Sequence, residues 1–370
     1  MKKLLVGTIL TLFLLSMATC QRIVDSPNSA AKLELPATVF DYITIKTQFG
    51  NTSLKHMAND GTADVFNNHT ATLGRVLFYD QSLSINNSVS CGSCHNQAKG
   101  FTDGKKHSMG FGGKILSRNT PAILKTIAGT GLFWDLRASN ALALSLEPVF
   151  NHLEMGIVNE EMLLEKVSSQ DYYPALFEKA YGSTEINKDK IAKAIAVFMN
   201  SLFTPDLRTL VDSKQWKDAY EKSALVNLGK DLYFSNRTKC AVCHSASLSF
   251  GGGYAGTNSP VMGSANIGLD QAYNDNGVSE GNFKIPDLIN VGLSAPYMHD
   301  GRYNTLEEVV EHYNSRIKKH PKLAADLMSN GEPLRLNLSE IEKQALVAFL
   351  KSLNDDYTIK DPKFSDPFKH

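Results

Sequence analysis

Hydrophobic side chains recur at helical spacing in several stretches of the chain. Between residues 188 and 203 the apolar positions fall on one face of a predicted helix, at Ile191, Ala194, Ile195, Phe198 and Leu202. Ser339 and Glu342 have the spacing of a capping box and begin a second predicted helix. The apolar residues of that helix are Ile341, Leu346, Phe349 and Leu350. Segments rich in Gly, Asn and Ser separate such stretches and predict loops, so the pattern indicates a mainly α-helical protein.

The N-terminus has a different pattern. Lys2 and Lys3 precede an apolar stretch from Leu4 to Leu15, which is typical of a secretory signal peptide and shorter than a spanning helix requires. Cys20 follows that stretch and resembles the lipidated cysteine of a bacterial lipoprotein. The alternative is a signal peptide that is cleaved slightly later, so that Cys20 is discarded. Either way, the sequence predicts export from the cytoplasm.

Composition excludes several classes of protein. Of the 370 residues, 42% are hydrophobic and 21% are charged, which argues against a disordered chain. The 38 basic side chains are balanced by 38 acidic ones, and no basic cluster stands out, so the sequence does not indicate a nucleic-acid binder. This length is typical of two domains or of one large domain.

Four of the five cysteines occur in two identical motifs. The segments 91–95 and 240–244 both read C-x-x-C-H, with cysteines at Cys91, Cys94, Cys240 and Cys243. This is the attachment pattern of c-type haem, because two thiols at this spacing can add to the two vinyl groups of one haem. The following histidines, His95 and His244, are then the proximal ligands of the two irons.

The cysteine pairs have two other interpretations. Together the pairs could supply a four-thiolate zinc site, and each alone could be a thioredoxin-like redox pair. The zinc interpretation leaves the histidine after each second cysteine unexplained. The redox interpretation expects a strand before the motif, whereas Cys91 follows the polar stretch 84–90. Two covalent haem c groups therefore explain the pattern best.

The chain is internally duplicated around these motifs. Residues 73–79 (LGRVLFY) precede the first motif, and residues 228–234 (LGKDLYF) precede the second. Pro121 is followed at +13, +14 and +16 by Trp, Asp and Arg, while Pro286 is followed at the same offsets by His, Asp and Arg. Such self-similarity predicts two tandem haem domains of one fold.

The predicted domain organisation follows from this duplication. It comprises a signal peptide (1–20), an N-terminal segment (21–59), a first haem domain (60–205) and a second haem domain (206–370). Trp134 and His299 occupy equivalent places in the two halves. Differences between the halves are expected to mark different functions.

Several ordered motifs together resemble one family. The two C-x-x-C-H motifs are accompanied by RNTP (118–121), FWDLRA (133–138), EMG (154–156) and MHDGR (298–302). In this combination the chain resembles the bacterial di-haem cytochrome c peroxidases and the related methylamine-utilisation protein MauG, over about residues 60–355. The resemblance implies two cytochrome c-like domains, with peroxide reacting at the N-terminal haem and electrons entering through the C-terminal haem.

The resemblance also assigns residues to the reaction. Glu154 corresponds to the catalytic glutamate of the family, which moves a proton between the two peroxide oxygens. Trp134 corresponds to the tryptophan that lies between the two haems. The family's companion glutamine is replaced by Leu144, which is expected to weaken the polar support for bound peroxide.

A second departure from the family concerns the resting state. In typical members a histidine eight residues before the asparagine of the RN-x-P motif ligates the first haem until reduction releases it. Phe111 stands at that position here, so the first haem is expected to be open in the ferric state. His107 is a weaker substitute, expected to be a solvent-exposed loop residue, and His152 is a weak distal candidate.

The third departure is at the second haem. Typical peroxidases supply a methionine fourteen residues after the histidine of HDG, and Tyr313 stands there in this chain, as in MauG-type proteins. Helical spacing after the capping box Thr305–Glu308 puts Tyr313 on one face with Leu306, Val309 and Val310. His312 lies about 100° off that face and is the poorer candidate. An oxygen ligand from Tyr313 favours oxidised iron over reduced iron.

The resemblance implies one calcium ion between the domains. Asn119 matches the side-chain ligand, and Ser294 and Pro296 match positions that supply backbone carbonyls. Oxygen donors of this kind suit a hard cation.

The implied function is that of a periplasmic peroxidase, lipid-anchored if Cys20 is modified. It reduces hydrogen peroxide to water with electrons from a donor such as a small cytochrome c or a copper protein. The alternative is a MauG-like oxidase that acts on a partner protein or another substrate through a high-valent state shared by the haems. A third interpretation is an electron carrier without enzymatic activity, against which Glu154 argues. Family members are often homodimers.

Overall fold

The computed structural model describes residues 32–47, 50–128, 131–204, 207–244, 263–272 and 275–369. The predicted signal peptide and Cys20 lie outside these residues. Within them, no helix combines the length and the apolar character needed to cross a membrane.

The fold is mainly helical, which confirms the predicted class. The helices are α1 (Asn68–Tyr79), α2 (Cys91–Cys94), α3 (Ala141–Leu144), α4 (Glu147–Phe150), α5 (Glu160–Ser168), α6 (Tyr173–Tyr181), α7 (Lys188–Ser201), α8 (Leu207–Asp212), α9 (Lys214–Tyr220), α10 (Ala224–Phe234), α11 (Cys240–Cys243), α12 (Leu306–Glu311), α13 (Glu340–Lys351) and α14 (Asp356–Lys360). The short strands are β1 (Lys32–Leu33), β2 (Thr44–Thr47), β3 (Gly50–Ser53), β4 (Ser264–Ala265), β5 (Phe283–Lys284), β6 (Met328–Ser329), β7 (Glu332–Pro333) and β8 (Phe368–Lys369). They form two-stranded antiparallel pairs, namely β1–β8, β2–β3, β4–β5 and β6–β7.

Side chains cap the first turn of several predicted helices in the structure. Asn187 caps α7 through a side-chain oxygen that accepts from the Lys190 amide, so the helix predicted at 188–203 begins where expected. The capping boxes at Thr305 and Ser339 form as predicted and begin α12 and α13. The segments around the cysteine motifs were expected to be loops, and each motif forms a single helical turn, α2 or α11, between such segments.

Each half is built on one close helix crossing. In the first half α1 packs on α7, and a Cβ atom at Gly74 would lie 1.9 Å from the Ala194 carbonyl oxygen. In the second half α10 packs on α13, and a Cβ atom at Gly229 would lie 1.9 Å from the Ala345 carbonyl oxygen. Only glycine allows the backbones to approach this closely. The matching geometry is the structural counterpart of the sequence repeat.

Two main hydrophobic cores correspond to the two crossings. The first runs from Tyr42 to Leu202 and also contains Phe364 and Phe368 from the end of the chain. The second runs from Leu207 to Leu353. Strand β1 pairs with β8, and the Tyr79 hydroxyl donates to the Phe364 carbonyl at 2.6 Å. The last residues of the chain therefore pack on the first half, and the boundary predicted at 205–206 stays a prediction.

Candidate haem sites and the residues between them

The first cysteine motif lies beside the end of α1. His95 follows α2, and its Nδ1 donates to the Phe101 carbonyl oxygen at 2.9 Å. This bond fixes the ring and leaves Nε2 for a metal, which is the usual arrangement of a ligating histidine. The Tyr79 ring packs so closely on Gly92 that a Cβ atom there would lie 2.3 Å from it. Gly92 thus allows the motif to sit directly against α1.

The second motif is held in an equivalent way by different residues. Nδ1 of His244 donates to the Pro286 carbonyl oxygen at 3.0 Å, and the Tyr233 hydroxyl donates to the His244 carbonyl at 2.6 Å. Cys240, Cys243 and His244 line a cavity of about 850 Å³, whose wall also includes residues of the first half such as Trp134. Thiols and imidazole facing one such cavity fit a covalently attached haem.

The structure does not support a shared zinc site. Among the described residues, no three His, Cys, Asp or Glu side chains come together as a group able to hold a metal ion. Cys91 packs against the first core and Cys240 against the second. A four-thiolate site would need both pairs in one place.

Glu154 lies near the first motif, and contacts with the backbone of Gly110 and Phe111 hold its segment in place. A Cβ atom at Gly110 would lie 1.8 Å from the Leu153 carbonyl oxygen, and the Phe111 amide donates to the Glu154 carbonyl at 2.9 Å. The Glu154 carboxyl accepts from the Asn151 side chain at 2.8 Å. Burial raises the pKa of Glu154. The carboxyl is therefore held in one place and has an increased tendency to take up a proton.

Electrostatics link Glu154 to the first motif. Burial is the main cause that raises the pKa of Cys91 and of Cys94, and the Glu154 carboxylate adds to the increase for both thiols. Glu154 thus lies within electrostatic reach of the place where the first haem would attach.

Phe111 fills the position of the histidine that typical family members use at rest. Its ring lies against Gly156, where a Cβ atom would approach it to 2.2 Å, and the Lys114 ammonium lies 3.9 Å from the ring centroid. Leu144 is buried in the first core. Neither side chain offers a polar atom to iron or peroxide.

The two other histidines of this region differ in burial. His152 is exposed, and its carbonyl accepts from Lys114 at 2.8 Å. His107 was expected to be exposed but is half-buried, and its buried Nδ1 has no hydrogen-bond partner among the described residues. The backbone of Lys106 packs against Gly301, which holds this loop on the second half.

Tyr313 lines the cavity of the second motif, as do Leu306, Val309 and Val310, so the four residues predicted to share a face do so. The helix turns from α to π geometry at His312–Arg316, a local widening that is frequent at functional sites. Burial raises the pKa of Tyr313, and the nearby Cys243 and Cys240 add to the increase. The described residues make no hydrogen bond to its hydroxyl.

His312 has both ring nitrogens engaged. Nε2 lies 2.9 Å from the Ile267 carbonyl oxygen, and Nδ1 lies 3.3 Å from the Tyr303 hydroxyl. The ring is 1% exposed. The lower rank of His312 as a ligand candidate agrees with these contacts.

Trp134 joins the two halves of the molecule. Its Nε1 donates to the Asn119 carbonyl at 2.8 Å, and its own carbonyl accepts from the Lys284 amide at 2.8 Å. The Asn119 amide donates to the His299 carbonyl at 2.8 Å. The equivalent positions Trp134 and His299 are thus linked through one asparagine.

The three residues expected near calcium line the same cavity as Trp134. They are Asn119, Ser294 and Pro296. The Asn119 amide nitrogen donates to the Lys105 carbonyl at 2.8 Å, which leaves its side-chain oxygen as a potential donor to a cation.

Two features of this junction were not predicted from the sequence. Phe283 stacks on His299 with ring centroids 3.5 Å apart and planes 11° apart. The buried Lys125 ammonium forms an ion pair with the Asp287 carboxylate at 2.8 Å. Both join residues far apart in sequence, so no local pattern could have revealed them.

Comparison with known proteins agrees with this architecture. A family model described as di-haem cytochrome c peroxidase matches residues 68–218. The chain is 30% identical over 305 residues to methylamine utilization protein MauG of Methylorubrum extorquens, covering 76% of this chain and 77% of that protein. It is 32% identical over 295 residues to cytochrome c551 peroxidase of Nitrosomonas europaea, covering 77% of this chain and 80% of that protein.

Solved structures show the same relationship. A MauG-like protein associated with microbial copper homeostasis superposes with a TM-score of 0.70 at 32% identity, covering 82% of this chain and 94% of the other. The di-haem peroxidase BthA of Burkholderia thailandensis shares the fold, with a TM-score of 0.61 at 20% identity, covering 93% of this chain and 100% of the other. Together with the two equivalent helix crossings and the two haem-attachment motifs, these matches show that the chain belongs to the di-haem cytochrome c peroxidase and MauG family, which implies two haem c groups.

Proposed function

We propose that this protein is an oxidoreductase that reduces hydrogen peroxide to water with electrons from a donor protein. The observation that carries the proposal is the placement of the Glu154 carboxyl. This carboxyl is half-buried, accepts a hydrogen bond from Asn151, and is close enough to Cys91 and Cys94 to raise the pKa of both thiols. When bound, the haem beside His95 supplies the iron at which peroxide is reduced. The reaction consumes two electrons and two protons for each peroxide and yields two water molecules.

Glu154 has the properties of a proton shuttle. Its carboxylate takes a proton from one peroxide oxygen and returns it to the other, which makes the departing oxygen a water molecule. Asn151 fixes the carboxyl, and the raised pKa brings proton uptake closer to neutral pH. Phe111 and Leu144 provide no proton donor at the two positions where typical family members have a histidine and a glutamine.

The proposed role is tested with a Glu154→Gln variant, which preserves size and hydrogen bonding but cannot carry the proton. Turnover with peroxide and a reduced donor is expected to fall at least about 100-fold, because general acid–base catalysis contributes that much or more. Glu160→Gln is the matched control, since Glu160 lies on the surface and pairs with Lys188. Full turnover by the Glu154 variant, with both haems bound, would remove the proposed function of this residue.

Trp134 is proposed to carry electrons between the halves. Its hydrogen bonds to Asn119 on one side and to Lys284 on the other support this role. The donor is proposed to be a small cytochrome c or a copper protein.

A second candidate function is oxidation of a partner protein or another substrate. Tyr313 favours it, because an oxygen ligand stabilises oxidised iron and would hinder simple electron entry. The relative of Methylorubrum extorquens bears the name methylamine utilization protein.

Calcium binding by Asn119, Ser294 and Pro296 is part of the proposal, supported by their common position on the cavity wall. If the ion holds the two halves together, chelation followed by metal analysis is expected to remove one calcium per chain and to slow turnover. A chain without calcium as purified, with unchanged turnover in added calcium, would contradict this. Export to the periplasm, with or without a lipid on Cys20, is proposed from residues 1–20.

A further inference from the structure

The cavity of the second motif is lined by several cationic side chains. They are Arg118, Lys125, Lys239, Lys284 and Arg302. Most of them have acidic partners. Arg118 pairs with Asp135 and Asp275, and Arg302 pairs with Asp270 and Asp300.

Two of the three lysines on the cavity wall also have an acidic partner. Lys125 pairs with Asp287 at 2.8 Å, and Lys239 lies 3.9 Å from Asp326. The Lys284 ammonium, by contrast, makes no hydrogen bond or ion pair with any residue in the described part of the chain. Asp287, whose charge acts on Lys284, is already engaged by Lys125.

A partly buried ammonium group without an anion is less favourable than one in water. Burial lowers the pKa of Lys284 to about 8, and the charge of Asp287 only partly opposes this. A negative partner would offset this loss of hydration and keep the ammonium protonated over a wider pH range. Haem supplies carboxylates through its two propionates, whereas the aspartates described on the cavity wall are already paired with Arg118, Lys125 or Arg302.

The backbone fixes Lys284 at the junction of the halves. Its amide donates to the Trp134 carbonyl, and it is paired with Ser264 across β4 and β5. Its neighbour Phe283 stacks on His299. Two residues further along, the Pro286 carbonyl accepts from His244. One short segment therefore contacts Trp134, His299 and the proximal histidine.

We propose that the Lys284 ammonium binds a propionate of the haem attached to Cys240 and Cys243, and that its charge favours the reduced state of that haem. The inference rests on the proposed function insofar as haem must occupy this cavity. A cation close to the iron stabilises the state of lower positive charge. Lys284 thereby opposes the preference of Tyr313 for oxidised iron, and so keeps the second haem reducible by a donor.

The test uses the holoprotein and a reductive titration that follows the two haems separately by absorbance and EPR. In Lys284→Gln, the ratio of reduced to oxidised second haem at a given potential is expected to fall about tenfold. That change corresponds to a midpoint about 59 mV lower for a one-electron couple. The first haem is expected to titrate as in the wild type, and Lys284→Arg is expected to restore most of the difference.

Lys351→Gln is the matched control, because Lys351 is exposed on α13 and pairs with Glu307. Haem content per chain is measured for every variant. Loss of the second haem in Lys284→Gln but not in Lys284→Arg also supports the proposal. An unchanged midpoint in Lys284→Gln with both haems bound would overturn it, and so would an iron–amine EPR signature that disappears in this variant.

The titration is independent of the peroxide reaction. If Glu154→Gln retains full turnover while Lys284→Gln lowers the second midpoint, the proposed catalytic step fails and the assignment of Lys284 stands. If Glu154→Gln loses turnover while Lys284→Gln changes neither potential nor haem content, only the assignment of Lys284 fails.

Discussion

At the scale of single residues, the burial of Glu154 determines the pH at which its carboxyl can accept a proton. The folded protein raises the pKa of this group above its ordinary value of 4.5. Because the carboxylate is the form that takes a proton from peroxide, turnover is expected to decline as pH falls through this raised pKa. The acid limb of kcat/KM should therefore lie above pH 4.5.

The pH–rate profile of the wild type and of Glu154→Gln checks this expectation. The acid limb should be absent from the residual activity of the variant. The free energy of unfolding gives an independent test. Because the pKa of Glu154 is raised in the folded protein, the folded state favours the protonated carboxyl. Ionised Glu154 therefore lowers the free energy of unfolding above that pKa. Glu154→Gln should accordingly be no less stable than the wild type at neutral pH. An acid limb retained by the variant would assign it to another group.

Single residues also differ in how far the sequence reveals them. The attachment cysteines and His95 could be predicted because covalent attachment imposes a fixed local spacing. Glu154 and Tyr313 could be predicted only through family motifs, and their burial is what the structure adds. Lys284 could not be predicted, since the lack of a partner for it among the described residues depends on Lys125, which lies in the other half and engages Asp287.

At the scale of helices, the close crossings of α1 with α7 and of α10 with α13 hold the haem motifs in place. Gly74→Ala would put a methyl group 1.9 Å from the Ala194 carbonyl oxygen and 2.8 Å from the Phe198 Cβ atom. The helices would have to separate, which is expected to cost about 1–3 kcal/mol in the free energy of unfolding. Urea unfolding of the holoprotein measures this loss.

Gly292→Ala provides the control for this substitution. A Cβ atom there meets its nearest neighbour at 3.4 Å, an ordinary contact. Its unfolding free energy is expected to stay within about 0.5 kcal/mol of the wild type. Equal urea midpoints for Gly74→Ala and Gly292→Ala would contradict the interpretation that the close packing of α1 on α7 requires glycine at position 74.

Helix boundaries were predictable where side chains cap them, as at Asn187, Thr305 and Ser339. Capping is local, so the sequence contains the necessary information. The π-helical turn at His312–Arg316 was not predictable, because it depends on the packing of residues distant in sequence. His312, for example, is tied to Ile267 by its ring nitrogen.

At the scale of the whole molecule, the two halves share a fold but not their chemistry. In the first half, the Glu154 carboxyl is held by Asn151, and Phe111 stands where typical family members have a histidine ligand. In the second half, Tyr313 and Lys284 line the cavity. The duplication was predictable from the repeated motifs. The packing of Phe364 and Phe368 on the first core was not, because the end of the chain carries no repeat.

We propose that the two haem sites are unequal, the first open to peroxide and the second closed by a protein ligand. EPR of the ferric holoprotein tests this most directly, because it reports the two irons separately. We expect one high-spin signal, altered by peroxide, and one low-spin signal of the His/Tyr type that loses this character in Tyr313→Phe. Two low-spin signals, or a His/Met signal that persists in Tyr313→Phe, would contradict it.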